Sequence, residues 1–190
     1  MLLLVGLGNP GSNYTNTRHN IGFKIIDAIN LHFKLSKQKP KFKGLLTTGN
    51  IESKKIYAIK PLTFMNNSGT AIKELIDYFK IDAKDVFVFH DDMDIDFGKI
   101  KAKFGGSSAG HNGIDSIDKF IGKDYSRVRV GIGHPKQKKK VNNHVLEDFK
   151  EDEEEKIKEI TDSIVKLIPT LIDKKIDLFS SKVNQNLNGV

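Results

Sequence analysis

The stretch Met1 to Phe23, MLLLVGLGNPGSNYTNTRHNIGF, decides how this chain folds. An apolar run, Leu2-Leu3-Leu4-Val5, stops in the glycine-rich turn Gly6-Leu7-Gly8-Asn9-Pro10-Gly11. A strand that ends in such a turn makes a shelf where a small molecule can approach backbone. A polar loop then carries Arg18-His19-Asn20 to the front of an apolar-periodic segment. A histidine just past the shelf is a candidate for proton chemistry near neutral pH. Its plainer role is that of a surface residue beside a turn.

Working outward, Ile21, Ile25, Ala28, Ile29 and His32 recur at three- and four-residue steps, which predicts a helix from about Asn20 to Phe33. The Lys-rich stretch Lys34 to Lys43 reads as a loop, and Leu45 to Ile51 with Ile56 to Ile59 as a strand pair. Pro61 closes the second strand. A helix follows with apolar positions Ile72, Leu75, Ile76 and Phe79, for which Asn66, Asn67 or Ser68 is a candidate cap. Val86 to Phe89 is a continuous apolar run, as expected of a strand buried on both faces.

Beyond it, Lys99 to Phe104 alternates as an amphipathic strand, and the flexible loop Gly105 to Gly113 opens a helix from Ile114 to Ile121. Ser126 to Ile132 reads as a strand, followed by Gly133-His134-Pro135 and an exposed basic tract, Lys136 to Lys140. In the last forty residues, Ile157, Ile160, Ile164 and Leu167 share one helix face until Pro169 breaks it. Ile172, Ile176, Phe179 and Val183 share a second. Strands alternating with helices give the α/β class: one domain over residues 1–190, a mixed, mostly parallel twisted sheet flanked by helices, with further helices at the C-terminus.

Composition narrows the function. The chain of 190 residues is long enough to bury a real core, and with 38% hydrophobic and 29% charged residues it is ordinary for a soluble domain. No run approaches the ~18 apolar residues of a membrane span, and the opening run is too short for a secretory signal, so neither is expected. With no cysteine, disulfides, thiolate catalysis and Cys-ligated zinc are excluded, which is compatible with a reducing cytoplasm.

Net charge is +7, unevenly spread. Met1 to Leu146 holds 24 Lys plus Arg against 13 Asp plus Glu, whereas Glu147 to Val190 holds 7 against 11. A basic body with an acidic tail suits a polyanionic partner, although a Lys-rich proteome would decorate surfaces in the same way. The only arginines are Arg18, Arg127 and Arg129, positions where a planar fork or permanent charge is expected to matter.

Two motifs are decoys. Gly6 to Gly11 spells G-x-G-x-x-G, yet Pro10 and the loop Ser12 to Thr17 separate it from the helix. Asp27 then falls inside that helix, not at the end of a following strand, so no nucleotide cofactor is expected. Asp92-x-Asp94-x-Asp96 imitates a calcium loop, but its glycine is one place late and Lys103 stands where the bidentate Glu belongs. Those acids, with His90 and Asp91, could hold Mg²⁺ for a nuclease, or form a solvated acidic loop. Ser107 and Ser108 sit in a glycine loop, with nothing nearby in the sequence to mark either as an activated nucleophile.

What remains is Asn9, His19, Asn66, Asp91 and Asn112, each at a strand end or helix start. Strand ends of an α/β sheet converge on one crevice. A His oriented by a carboxylate can deprotonate water, and an Asn aimed at an oxyanion contributes about 10²–10³ in rate. The residues alone therefore point to a metal-free His/Asp hydrolase, with capping as the competing role for each Asn.

In these motifs the chain resembles bacterial-type peptidyl-tRNA hydrolase. The resemblance runs through Val5 to Gly11, Tyr14, Thr17 to Gly22, Pro61, Thr63 to Asn66, Ser68-Gly69, His90-Asp91, Gly105-Gly106, Gly110 to Gly113 and Arg129 to Pro135. It implies a monomeric cytoplasmic enzyme, with no cofactor and no metal, that hydrolyses the ester joining a peptide to the 3′ ribose of tRNA. It further implies His19 as general base on water, Asp91 as its orienting carboxylate, and Asn9 and Asn66 as holders of peptide main chain. Asn112 would contact the water or terminal nucleotide, Tyr14 and Met65 would wall the pocket, Lys103 with Arg129 would clamp the tRNA 5′ phosphate, and His111 would support.

The chain departs from the family's pattern at Ser107-Ser108-Ala109, where further glycines are usual, and at Asp92 and Asp96, where Glu and Pro are expected. Its tail beyond Glu147 matches poorly. A non-catalytic RNA-binding module and the Mg²⁺-dependent nuclease are the rival readings.

Overall fold

The structure, a computed structural model, describes residues 1–135 and 141–189. The tract from Lys136 to Lys140 lies outside the described residues. A seven-stranded sheet has the order β2-β3-β4-β1-β5-β7-β6. Its strands are β1 (Leu2–Gly6), β2 (Lys39–Lys41), β3 (Gly44–Ile51), β4 (Lys54–Pro61), β5 (Val86–Asp92), β6 (Ile100–Phe104) and β7 (Ser126–Gly131). β4, β1, β5 and β7 pair in parallel, and antiparallel pairings lie towards both edges. The mixed sheet expected from the sequence is what forms, with parallel pairings at its centre and as many antiparallel ones towards its edges.

The central strands explain the two-sided core. Leu2 and Leu4 face α1 (Ile21–His32) and the C-terminal helices, whereas Leu3 and Val5 face the side of α2 (Ser68–Phe79) and α3 (Asn112–Ile121). β5 is buried along its whole length, which carries Asp91 into the interior at the strand's carboxyl end. α1 packs on β1 and β5 at van der Waals limits. A Cβ at Gly6 would collide with the Gly22 carbonyl, and one at Gly22 with the backbone of Leu7 and Phe89. The glycines of the opening turn therefore serve helix-on-strand approach, the role left open once the dinucleotide reading failed.

Both sheet edges are blunted. Residues 34–43, expected as loop, contain the short edge strand β2, whose exposed Lys39, Pro40 and Lys41 discourage further pairing. A strand rich in Lys and Pro carries no alternation to reveal it. On the other edge, α7 (Ile176–Leu187) supplies side chains to β6. Asn184 accepts from the Ile100 N–H at 3.0 Å and donates to its carbonyl at 2.9 Å, and Ser180 Oγ accepts from the Ala102 N–H at 3.1 Å.

The C-terminal helices differ from expectation in where they break. α5 (Glu151–Lys166) ends before Pro169, which lies in the first turn of α6 (Ile168–Ile172), where its missing N–H is not needed. Ile172 and Ile176 thus belong to separate helices, with Lys174 left-handed between them at φ 62°. Nor do Asn66, Asn67 or Ser68 cap α2 with a side chain; Ser68 Oγ instead donates to the Met65 carbonyl at 2.8 Å. One more short helix, α4 (Val141–His144), precedes α5.

The tight seam predicts that Gly22→Ala destabilises the protein by about 3 kcal/mol or more, because backbone rather than a flexible side chain opposes the added methyl. Urea unfolding measures it, and a midpoint equal to wild type would mean that α1 has room to shift.

Candidate active site

His19 and Asp91, 72 positions apart in sequence, meet: Nδ1 of His19 lies 2.7 Å from Oδ1 of Asp91. A short 3-10 turn, Arg18–Asn20, delivers the histidine, and the end of β5 delivers the carboxylate. Both residues are buried, yet both line a cavity of about 160 Å³ shared with Met93, Ala109, His111 and Asn112.

His111 binds the same oxygen, with Nε2 at 3.0 Å. Because it is the N-cap of α3, its Nδ1 accepts the N–H groups of Gly113 at 3.1 Å and Ile114 at 3.3 Å. A nitrogen that accepts carries no proton, so His111 is held neutral with its hydrogen on Nε2, donating to Asp91. The ionised carboxylate can only accept, so His19 places its hydrogen on Nδ1. Its Nε2 is left with no hydrogen bond among the described residues. Burial opposes ionisation of Asp91, but His19 and His111 outweigh it and hold the carboxyl well below the usual carboxylate range.

His19, Asp91 and His111 are also close enough to one another to suggest a metal site. The hydrogen bonds argue against it. A cation would need the Nε2 lone pair of His111, which would force the proton onto the Nδ1 that already faces two backbone N–H groups. The acids of the calcium-like loop are spoken for as well. Asp92 pairs with Arg129 at 2.7 Å, Asp94 with His134 at 2.9 Å, and Asp96 with Lys99 at 3.3 Å.

Asn9 is buried, and its Oδ1 accepts the Met65 N–H at 2.8 Å, so Nδ2 is the polar atom left for a ligand. Its backbone is held by Asn20, which accepts from the Asn9 N–H at 2.8 Å and donates to its carbonyl at 3.0 Å. Sequence reasoning treated Asn20 only as part of a motif; a polar side chain directly after a candidate base was the available signal. Asn66 and Asn112 are exposed, the latter at the cavity. Tyr14 is half-buried and meets Phe64 edge-on, with ring centroids 6.5 Å apart, whereas Met65 is almost fully buried. Asn9, Tyr14, Met65 and Asn66 do not line the cavity around the His–Asp pair.

Lys103 and Arg129 lie on neighbouring strands β6 and β7. Burial, together with the adjacent Arg129 and Arg127, lowers the Lys103 pKa. Arg129 is oriented by the Asp92 carboxylate, a partner missed while that acid was read as part of a loop. Arg127, fully buried, donates to the Ser107 carbonyl and to Asp118, both at 2.8 Å, and so pins the root of the Ser-rich loop. The loop is further tied by Ser107 Oγ to the Ala109 N–H at 3.2 Å and by Ser108 Oγ to the Gly110 N–H at 3.3 Å.

Fold and site together define an α/β protein with an imidazole–carboxylate pair at a cavity, the equipment of a hydrolase that activates water directly. The sequence profile described as peptidyl-tRNA hydrolase matches residues 3–189. A peptidyl-tRNA hydrolase of Pelagibacter ubique is 72% identical over 184 residues, covering 97% of this chain and 99% of that protein. One from Ehrlichia canis is 46% identical, covering 97% and 95%. The crystal structure of peptidyl-tRNA hydrolase from Acinetobacter baumannii superposes with a TM-score of 0.90 at 34% identity, covering 97% of this chain and 94% of that one. The chain belongs to the peptidyl-tRNA hydrolase family. Among the described residues, no helix is long and apolar enough to cross a membrane.

Replacing Asn20 by Ala leaves the backbone N–H and carbonyl of the buried Asn9 without partners, with an expected loss of about 1–3 kcal/mol in stability. Equilibrium unfolding checks it, and an unchanged midpoint would mean that water satisfies both groups.

Proposed function

We propose that this chain hydrolyses the ester between a peptide and the 3′ ribose of tRNA, with His19 as general base and Asp91 as its orienting carboxylate. The observation that carries the reading is the 2.7 Å bond from His19 Nδ1 to Asp91, which leaves Nε2 free beside the cavity. Nε2 takes a proton from water as the water oxygen bonds to the ester carbonyl carbon. When the tetrahedral intermediate collapses, the bond to the ribose oxygen breaks and the imidazolium returns that proton to it. Free tRNA and a peptide acid leave. The ionised Asp91 stabilises the imidazolium formed between these steps.

Asn9 Nδ2 is a donor suited to the developing oxyanion or to peptide main chain, with Asn66 beside it in role. Asn112 holds the water or the terminal nucleotide, Tyr14 and Met65 wall the peptide side, and His111 keeps Asp91 in place. Lys103 and Arg129 clamp the tRNA 5′ phosphate, with Asp92 aiming the guanidinium fork. This contact reads backbone, not sequence, which suits action on many tRNAs. The chain works in the cytoplasm as a monomeric single domain over residues 1–190, without metal or cofactor.

Release of peptide from peptidyl-tRNA by wild type, His19→Ala and Asp91→Asn tests the chemistry. Turnover should fall by at least ~10² in each variant with tRNA binding little changed. Near-normal turnover in either removes that residue from the mechanism. Peptide release by wild type should be indifferent to EDTA, and sensitivity would favour a metal-dependent reading. Lys103→Ala should weaken binding and reduce the slope of log affinity against log salt by about one; an unchanged slope counts against the clamp.

A further inference from the structure

The acidic tail folds back onto the residues that carry His19. Residues 145–149 run antiparallel to residues 16–19. The Phe149 N–H donates to the Asn16 carbonyl at 3.3 Å, the Arg18 N–H to Glu147 at 3.0 Å and the His19 N–H to Val145 at 2.8 Å, with Thr17 bridged to Asp148. His19 therefore hangs on backbone bonds to a segment that has no regular structure of its own. Val145, at the far end of that segment, lines the catalytic cavity.

One ion pair locks this ladder from the side. Arg18 is buried, and its Nη2 donates to Glu153 Oε2 at 2.6 Å. The same oxygen accepts the Lys150 N–H at 2.8 Å, which fixes the start of α5. The guanidinium lies over the Phe149 ring, 4.9 Å from its centroid. Its Nε and Nη1 are buried with no partner among the described residues, so Glu153 is the carboxylate that compensates this charge. A buried cation is costly without its partner, so the chain is driven to keep Arg18 against Glu153.

We propose that Arg18 and Glu153 are positioning residues. Their ion pair sets the path of residues 16–19 and thereby aims the His19 imidazole at Asp91 while touching no substrate. The proposal rests on the reading of His19 as the base. It gives the acidic tail a part in catalysis.

The test separates positioning from mere stability. Glu153→Gln keeps the shape and removes the charge. The double variant Arg18→Met with Glu153→Leu replaces a buried ion pair by apolar residues, a change that often preserves stability. Each is assayed for kcat, KM, melting temperature and the low-field NMR signal of the His19 Nδ1–H. The expected result is a kcat at least about tenfold lower in both, within the ~10² that a misplacement of about an ångström brings. KM should stay within about twofold by the same argument, since no substrate contact is lost. The His19 N–H signal should broaden or shift, even where the double variant melts like wild type.

Wild-type kcat with an unperturbed signal in Glu153→Gln overturns the proposal. So does full recovery of kcat in a double variant of wild-type stability. If the double variant does not fold, Glu153→Gln, measured below its melting temperature, decides alone. Should His19→Ala itself turn over normally, the base reading fails. The NMR signal still reports whether the pair aims the ring, so the two failures remain distinct.

Discussion

The molecule depends on how closely α1 lies against the carboxyl ends of β1 and β5. Where Gly6 and Gly22 face each other, a single added methyl on either side would overlap backbone. The histidine is only three residues before Gly22, in the turn that feeds α1, so the height of the helix over the sheet sets the height of the imidazole over Asp91. Ordinary helix-on-sheet packing, spaced by side chains, would lift that turn away from the carboxylate. The seam thus holds the imidazole within hydrogen-bond reach of the carboxylate, at 2.7 Å.

Around Asp91 the surroundings are arranged to keep one oxygen ionised and doubly bonded. His111 is neutral because two backbone N–H groups at the start of α3 occupy its other nitrogen. His90, buried behind it, is held neutral as well: burial pushes its pKa well below the usual value, while its Nδ1 donates to the Asp91 carbonyl at 2.7 Å. Of the three imidazoles, His19 alone lines the cavity with a ring nitrogen uncommitted. In the proposed reaction, a proton taken from water therefore has one place to go. Asp92 and Asp96, paired with Arg129 and Lys99, add little uncompensated negative charge to the cleft that a polyanion must enter.

Much of the architecture was legible because periodicity and burial agree there. Ile21, Ile25 and Ile29 are wholly buried on one face of α1, and the apolar run at Val86 lies in a strand covered on both sides. β2 escaped because an edge strand made of Lys and Pro is chosen against pairing, which erases the pattern by which strands are recognised. Pro169 pointed to a break but not to its side, since proline fits a helix's first turn as well as it ends one. In the site, His19 and Asp91 could be nominated from position alone. The jobs of His111, Asn20 and Asp92 could not, because each acts through a partner far away in sequence. The bias to lysine did carry a true signal: all three arginines hold carboxylates, at Glu153, Asp118 and Asp92.

Those three pairs divide the work of the fold in a way that lysine could not. A guanidinium can bind a carboxylate with one edge while its plane rests on a ring or its other edge reaches a carbonyl. Arg18 lies over Phe149 while it grips Glu153, and Arg127 lies over Tyr125, 4.6 Å from the centroid, while it grips Asp118 and the loop carbonyl of Ser107. The first two join segments that the sheet does not join. The first ties the tail to the stretch bearing the imidazole, and the second ties the Ser-rich loop to α3. The third, Arg129, ties the strand next to Asp91 to the basic face. Asp91 is thus fixed by strand and helix, whereas the tail and the Ser-rich loop around it are tied by arginine. The sheet supplies rigidity at the centre, and the first two ion pairs extend it to segments outside the sheet.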